Sequence, residues 1–369
     1  MNNSNGIPFF LKASIFFVGL WAFLTMLYLA RAVIIPLVFS ACIAIMINPM
    51  VNFFQYRLRL HQIIAIFLGM FITFLLMIGV MSFLYYQIMM FRESWPAFGG
   101  KVEQLITQFS GWASSTFHLS NDTIRSGIET GRQKLMENSL TTVTTTLTAV
   151  GSVVAFIFLL PVFVFLFLFY KQMFITFVVQ AVGAQNKEHV SEVILGTKTI
   201  IQSYLNGLVI EAIIVAILNS IGLLILGIEY AILLGVLGAI LNTIPYIGGV
   251  IAILVTMMIA FLTKTPIYMV YVVISYLIVQ FIDNQIIFPR IVGSKVEINA
   301  LVSIVAVLAG GLFWGIAGMF LSLPLVAVIK IIFDRIEGLK PWGMVLGNII
   351  PTKPVYLSRY LHHSSRNKK

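Results

Sequence analysis

Two acidic side chains stand inside runs that are otherwise apolar. Glu211 lies in Leu208-Val209-Ile210-Glu211-Ala212-Ile213, and Asp283 lies in Val279-Gln280-Phe281-Ile282-Asp283-Asn284-Gln285. An ionisable group in hydrocarbon is expensive, so acids in such runs mark cation or proton sites, or polar contacts for a substrate. Gln280 precedes Asp283 by three residues and shares its helix face, with Asn284 adjoining. The plainer alternative is an interfacial carboxylate, or one paired with Arg290 or Lys295.

The second concentration of chemistry is Asn242-Thr243-Ile244-Pro245-Tyr246-Ile247-Gly248-Gly249, in the middle of an apolar stretch from Tyr230 to Leu262. Pro245 removes a backbone donor, and Gly248 and Gly249 loosen a helix. In lipid such a break is tolerated only where it is packed in protein or lines a wet cavity. Asn242, Thr243 and Tyr246 add hydrogen-bonding side chains there, a combination able to bind a small polar solute. The plainer alternative is a kink whose polar groups satisfy one another. Gln202, Asn206 and Asn219 add polar groups along the preceding run, as helix–helix contacts in membranes also do.

The elements that must carry these residues are membrane helices. The 369 residues are 60% hydrophobic and 10% charged, against about 25% charged for a soluble domain, and mean hydropathy is +1.01. Several apolar runs reach the roughly 20 residues that cross about 30 Å of hydrocarbon. The expected fold is all-α and polytopic, with about eight spans: 9–30, 32–54, 62–90, 147–170, 203–227, 230–262, 266–288 and 299–333. The short alternating strands of a membrane β-barrel are absent. The first run exceeds a signal-peptide core and lacks a small-residue cleavage site, so it reads as a retained span. Two of the eight depart from a simple span. Residues 230–262 carry the octapeptide, and 299–333 carry Gly310, Gly311, Gly315, Gly318 and Pro324. Each is long enough to be one kinked helix or a re-entrant pair, and paired Gly/Pro-interrupted segments point to transporter binding sites.

The spans divide the chain into four regions: 1–90 with spans one to three, a polar region at 91–146, a transmembrane core at 147–335 and a basic tail at 336–369. The polar region balances five basic and five acidic residues and reads as a small helical extramembrane unit, an interfacial layer or a subunit contact. An amphipathic stripe near 187–201 suits an interfacial helix. With eight crossings and a cytoplasmic N-terminus, fifteen of the 23 Lys and Arg residues fall inside, as the positive-inside tendency requires. If both broken segments are re-entrant, the seventh span inverts, and the charge count changes by one residue. The net charge of +10 clusters at membrane ends, where it meets anionic lipid rather than nucleic acid. The one cysteine, Cys42, and the five histidines show no metal-ligand spacing. No GxSxG, HExxH or Walker A pattern is present, so no catalytic residue, metal or cofactor is expected.

The order Tyr204-Leu205-Asn206-Gly207, Leu226-Gly227, Asn242-Thr243-Ile244-Pro245-Tyr246-Ile247-Gly248 and Pro289-Arg290-Ile291-Val292-Gly293 resembles the autoinducer-2 exporter family. The likeness continues through Ala309-Gly310-Gly311 and Gly315-Ile316-Ala317-Gly318-Met319 to Pro324-Leu325. The resemblance implies an eight-span bacterial inner-membrane permease assembled as a homo-oligomer; the charge count places both termini in the cytoplasm. The resemblance further implies export of a small polar furanone derivative or, in other members, sodium or lithium exchange for protons. Gly249 departs from the family's Ile-Pro-Tyr-Ile-Gly-Pro, which shifts the expectation from ion exchange toward solute passage. Three functions follow: a secondary transporter or facilitator for small polar solutes, a monovalent-cation/proton antiporter, and a non-transporting scaffold acting through 91–146.

Overall fold

The computed structural model describes residues 8–117, 158–181, 187–244, 247–293 and 298–348. Pro245, Tyr246 and Lys295 lie outside the described residues, as do the whole of the polar region beyond Phe117 and the tail from residue 349. Among the described residues the chain is helical, with one isolated bridge between Ile298 and Gly347.

Three helices open the chain: α1 Phe9–Leu29, α2 Arg31–Asn52 and α3 Gln62–Phe117. The third runs on past the expected end of its span, so residues 91–117 continue the same helix. Next come α4 Phe158–Phe169 and α5 Lys171–Ala181, which meet at a bend of 63°. Lys171 at this bend donates to Asn48 Oδ1 at 3.2 Å and Asn52 Oδ1 at 3.0 Å. The helix α6 Lys187–Ile225 then runs without interruption. The amphipathic stretch near 187–201 and the fifth span are therefore one helix. Their polar and apolar stripes follow one period, and nothing between them breaks it. After α6 come α7 Ala231–Asn242, α8 Gly248–Thr263 and α9 Ile267–Ile282. A π turn at Asp283–Ile287 leads into α10 Phe288–Ile291. Last are α11 Ala300–Arg335 and α12 Lys340–Leu346.

Both broken segments fold back on themselves. Along one helix, Gly238 and Ala252 would be about 21 Å apart at about 1.5 Å per residue. Instead, a Cβ at Gly238 would lie 3.5 Å from Ala252 Cβ, so α7 and α8 form an antiparallel hairpin. In α11 the backbone leaves helical geometry at Trp314 and at Gly315, whose φ is +63°. That left-handed turn suits glycine, which has no Cβ to clash. Gly310 then packs on the Gly318 carbonyl and on Ser322 Cβ, although eight and twelve residues would separate them along one helix. By length six described helices can cross a membrane, or seven with the bent α4–α5 pair. The count falls short of the eight expected spans because 230–262 is split into α7 and α8, each too short to cross alone; α11 is counted by its length although it folds back at Gly315.

Apolar clusters join these pieces. Tyr204, Leu205 and Leu208 of α6 pack with Cys42 of α2, Val292, and Val307, Leu321 and Leu323 from both arms of α11. The close fit at the end of α10 needs Gly207, where a Cβ would lie 2.9 Å from the Ile291 carbonyl oxygen. By contrast α1 is almost wholly exposed, including Phe16, Phe17, Trp21 and Met26, the surface of a helix facing lipid.

The base of the α11 hairpin is tied by a residue that sequence reading passed over. Asn299 Oδ1 accepts from the Val302 amide at 2.9 Å, capping the helix, while Nδ2 donates to Val345 O at 2.6 Å and Gly347 O at 3.1 Å. The Asn299 amide also donates to Leu346 O at 3.1 Å. Asn299→Ala should lower the thermal unfolding midpoint of the detergent-solubilised protein, since a lost cap alone costs about 1 kcal/mol. Asn299→Asp, which keeps the acceptor but loses both donations, should fall between. A midpoint unchanged in both variants would contradict this account of the hairpin base.

Candidate functional site

The buried stripe of α6 carries the first functional side chain. Tyr204, Leu208, Glu211, Val215, Asn219 and Leu223 recur at three- or four-residue spacing and are all buried, as one face of a 3.6-residue helix requires. Glu211 is 6% exposed and Asp283 2% exposed, and the two carboxyls are close enough to interact electrostatically. Asp283 opens the π turn after α9, an irregularity common at functional sites.

The α7–α8 hairpin reaches this pair from the third side. Asn242, the last residue of α7, donates from Nδ2 to Asp283 Oδ2 at 3.0 Å. Gly248 begins α8 against the end of α7, so close that any Cβ would run into the Leu241 carbonyl. Next to it, a Cβ on Gly249 would lie 3.2 Å from Gln280 Oε1 and 3.4 Å from Asn242 Oδ1. The two glycines thus bring the hairpin's turn onto the α9 amide and the carboxylates. Gln280 Nε2 lies 3.4 Å from Asn284 Oδ1, and Thr243 donates to its own helix at Ala239 O.

Among the described residues, Glu211 Oε2 and Asp283 Oδ1 are buried and accept no hydrogen bond. Native interiors pair nearly all such atoms, so exceptions need a functional or strain-based explanation. Asp283 forms an oxygen-rich cluster with the carbonyl oxygens of Asn242 and Gln280, and Glu211 lies within electrostatic range of it. Such a cluster can accept hydroxyl or ammonium protons, or surround a monovalent cation.

The structure separates the sequence candidates. It brings together Glu211, Asn242, Gly248, Gly249, Gln280 and Asp283, with Asn284 and Thr243 at the margin. Gln202 and Asn206 stand apart. At about 100° per residue they are roughly 180° and 140° around α6 from Glu211, and Asn206 is exposed. Gly310, Gly311 and Pro324 shape the second hairpin and belong to a different cluster: Gly311 packs on Met319, and Pro324 is buried in the second arm. Of the octapeptide, Pro245 and Tyr246 fall outside the described residues. Sequence reading missed Tyr276 and Thr256, which hydrogen-bond each other at 2.9 Å between α8 and α9. Their only signal was position, four residues before Gln280 and seven after Gly249.

Comparison with known proteins agrees with this architecture. The sequence profile described as the AI-2E family transporter matches residues 15–338. The chain belongs to the AI-2E transporter family. The match contains both hairpins, the stripe of α6 and the Asp283 turn. Among the family's relatives, YueF of Bacillus subtilis (strain 168), provisionally named a transport protein, is 25% identical over 314 residues, covering 82% of this chain and 83% of YueF. The AI-2 transport protein TqsA of Escherichia coli (strain K12) is 24% identical over 333 residues, covering 87% of this chain and 91% of TqsA. A Haemophilus influenzae relative, also provisionally named a transport protein, is 24% identical over 333 residues and covers 87% of this chain and 92% of its own length. This AI-2E family member is therefore a membrane transporter.

Proposed function

We propose that this transporter is a secondary exporter of small polar solutes resembling autoinducer-2, acting through Glu211 and the oxygen-rich cluster of Asp283, Asn242 and Gln280. The observation that carries the reading is the 3.0 Å bond from Asn242 to Asp283. It joins the turn of a broken hairpin to a carboxylate whose other oxygen is buried and accepts no hydrogen bond among the described residues. A solute hydroxyl fits such acceptors, and the amides of Asn242 and Gln280 offer donors in return. Displacing the Asn242 bond by solute would couple occupancy to the position of the hairpin. The relative named for AI-2 transport supports the solute class.

Six crossings (α1, α2, α3, the bent α4–α5 pair, α6 and α9) with two re-entrant hairpins would place both termini on one side. The basic charge of the tail supports a cytoplasmic assignment in the bacterial inner membrane. The exposed apolar faces suit lipid and a homo-oligomeric contact. No reacting group is assigned, and transport rather than catalysis accounts for the buried acids.

A second reading is favoured by the same carboxylate pair: monovalent-cation/proton exchange. Proteoliposomes separate the two. Loaded with autoinducer-2 and given sodium or pH gradients in turn, the wild-type protein is expected to release solute saturably. Under the exchange reading, sodium uptake would instead drive protons out and alkalinise the lumen with no solute present. Glu211→Gln and Asp283→Asn should both abolish that exchange.

A further inference from the structure

A second polar layer lies two turns farther along α6. Asn219 follows Glu211 by eight residues on the same buried stripe, about 12 Å of helix at about 1.5 Å per residue. On α9, Tyr276 precedes Asp283 by seven residues, a matching step of about 10 Å. The hairpin spans both levels, with Asn242 and Gly249 at one and Gly238, Ala252 and Thr256 at the other. Between the two layers Val215, Ala239 and Val279 form a small apolar cluster.

The second layer is as buried as the first. Asn219 is 4% exposed, Thr256 1% and Tyr276 4%. Thr256 Oγ1 donates to Ala252 O at 2.9 Å and lies 2.9 Å from Tyr276 Oη. A hydroxyl has one proton. Either hydroxyl can donate in that pair, and Tyr276 Oη also lies 3.5 Å from Leu234 O, so each phenol and hydroxyl proton has a protein acceptor and the Tyr276 oxygen keeps acceptor capacity. Gly238 gathers two of these groups at one spot: a Cβ there would lie 2.9 Å from Tyr276 Oη and 3.5 Å from Asn219 Nδ2. Asn219 Oδ1 is buried and accepts no hydrogen bond among the described residues. The Tyr276–Thr256 bond already fastens α8 to α9, so fastening does not explain an amide carbonyl left unsatisfied.

We propose that Asn219, flanked by Tyr276, is a second solute-contact station on the path, taking a hydroxyl of a neutral polyhydroxylated solute. The solute hydroxyl would donate to Asn219 Oδ1, while Asn219 Nδ2 would donate to a solute oxygen. The station rests on the solute-export reading and extends it. Its groups are amide, phenol and hydroxyl, with no ionised side chain in the layer, so it selects hydroxyls rather than ions. The carboxylate layer and the neutral layer then contact the solute in succession across the apolar step of Val215, Ala239 and Val279.

Autoinducer-2 efflux from proteoliposomes tests this, with KM and maximal rate measured separately. Asn219→Leu, close in volume, is expected to raise KM about tenfold, the discrimination lost with a buried hydrogen bond to a substrate hydroxyl, with maximal rate near wild type. Tyr276→Phe keeps the ring and should raise KM less. If Asn219→Leu folds poorly, Asn219→Ser with a wild-type thermal midpoint serves instead, and a raised KM supports the station. An unchanged KM in the folded variants, or a loss confined to maximal rate and thermal midpoint, overturns it and leaves solute export standing. A wild-type protein that moves no autoinducer-2 overturns solute export and the station together.

Discussion

Asp283→Asn should cut the maximal rate of solute efflux by roughly 10- to 100-fold, because a buried hydrogen bond to a charged group is worth about 1.5–3 kcal/mol. The carboxylate accepts from Asn242 at 3.0 Å and is 2% exposed, so water does not substitute for the lost charge. An asparagine at 283 has nearly the same shape and can turn its oxygen to Asn242, but that bond is then neutral and the other end becomes a donor where Oδ1 had been an acceptor. Stability should move the other way or not at all, since one buried charge is removed and its repulsion of Glu211 goes with it. Loss of flux with an unchanged or raised thermal midpoint is the signature of a site that trades stability for function. Asn242→Leu should produce a comparable loss. The double variant should then lose less than the sum of the two, because both act through one bond. Strictly additive losses in proteoliposome flux would assign Asn242 and Asp283 to separate roles.

Gly248→Val should have the second large effect, on architecture as well as flux. The missing side chain at Gly248 is what lets α8 start against the Leu241 carbonyl. That neighbour is backbone, which cannot rotate away as a side-chain tip can. Overpacking of this kind costs about 1–3 kcal/mol or more, and the cheapest relief is to open the hairpin. Opening it withdraws Asn242 from Asp283, so flux should disappear and the thermal midpoint should fall. Gly249→Ala is the informative contrast. Its Cβ would meet only the amide ends of Gln280 and Asn242, at 3.2 and 3.4 Å, and both can turn. The thermal midpoint should therefore hold while KM rises. Equal midpoints for Gly248→Val and wild type would contradict the close crossing.

Much of this was legible in the residues. A membrane penalises buried charge and unpaired backbone so strongly that Glu211, Asp283 and the Asn242–Gly249 break announced themselves, and they converge. The hairpins were half legible. Glycine and proline marked the breaks, but charge counting separated a kink from a fold-back by one residue. The deciding contacts, Gly310 on Gly318 and Gly238 near Ala252, join positions distant along a straight helix. Gln202 and Asn206 were chosen for being polar on the right helix, and their angle around α6 turns them away from Glu211. The stretch near 187–201 was read as separate because its polar face suits an interface, although its period continues into the span. Tyr276 and Thr256 were missed because a tyrosine and a threonine in an apolar run are equally at home against lipid or another helix. Asn299 was missed because its partners at 345–347 follow the whole second hairpin.

The central claim is that solute passes at the Glu211–Asp283–Asn242 cluster, and protection from alkylation tests it most directly. Gln280 is replaced by cysteine in a Cys42→Ala background, reconstituted, and reacted with a small soluble thiol reagent. A second chain carries the cysteine instead at exposed Trp342 of α12, distant in sequence from the cluster. Saturating autoinducer-2 is expected to slow alkylation at 280 several-fold and leave 342 unchanged. Identical rates at 280 with and without solute, in vesicles that still export it, would contradict the site.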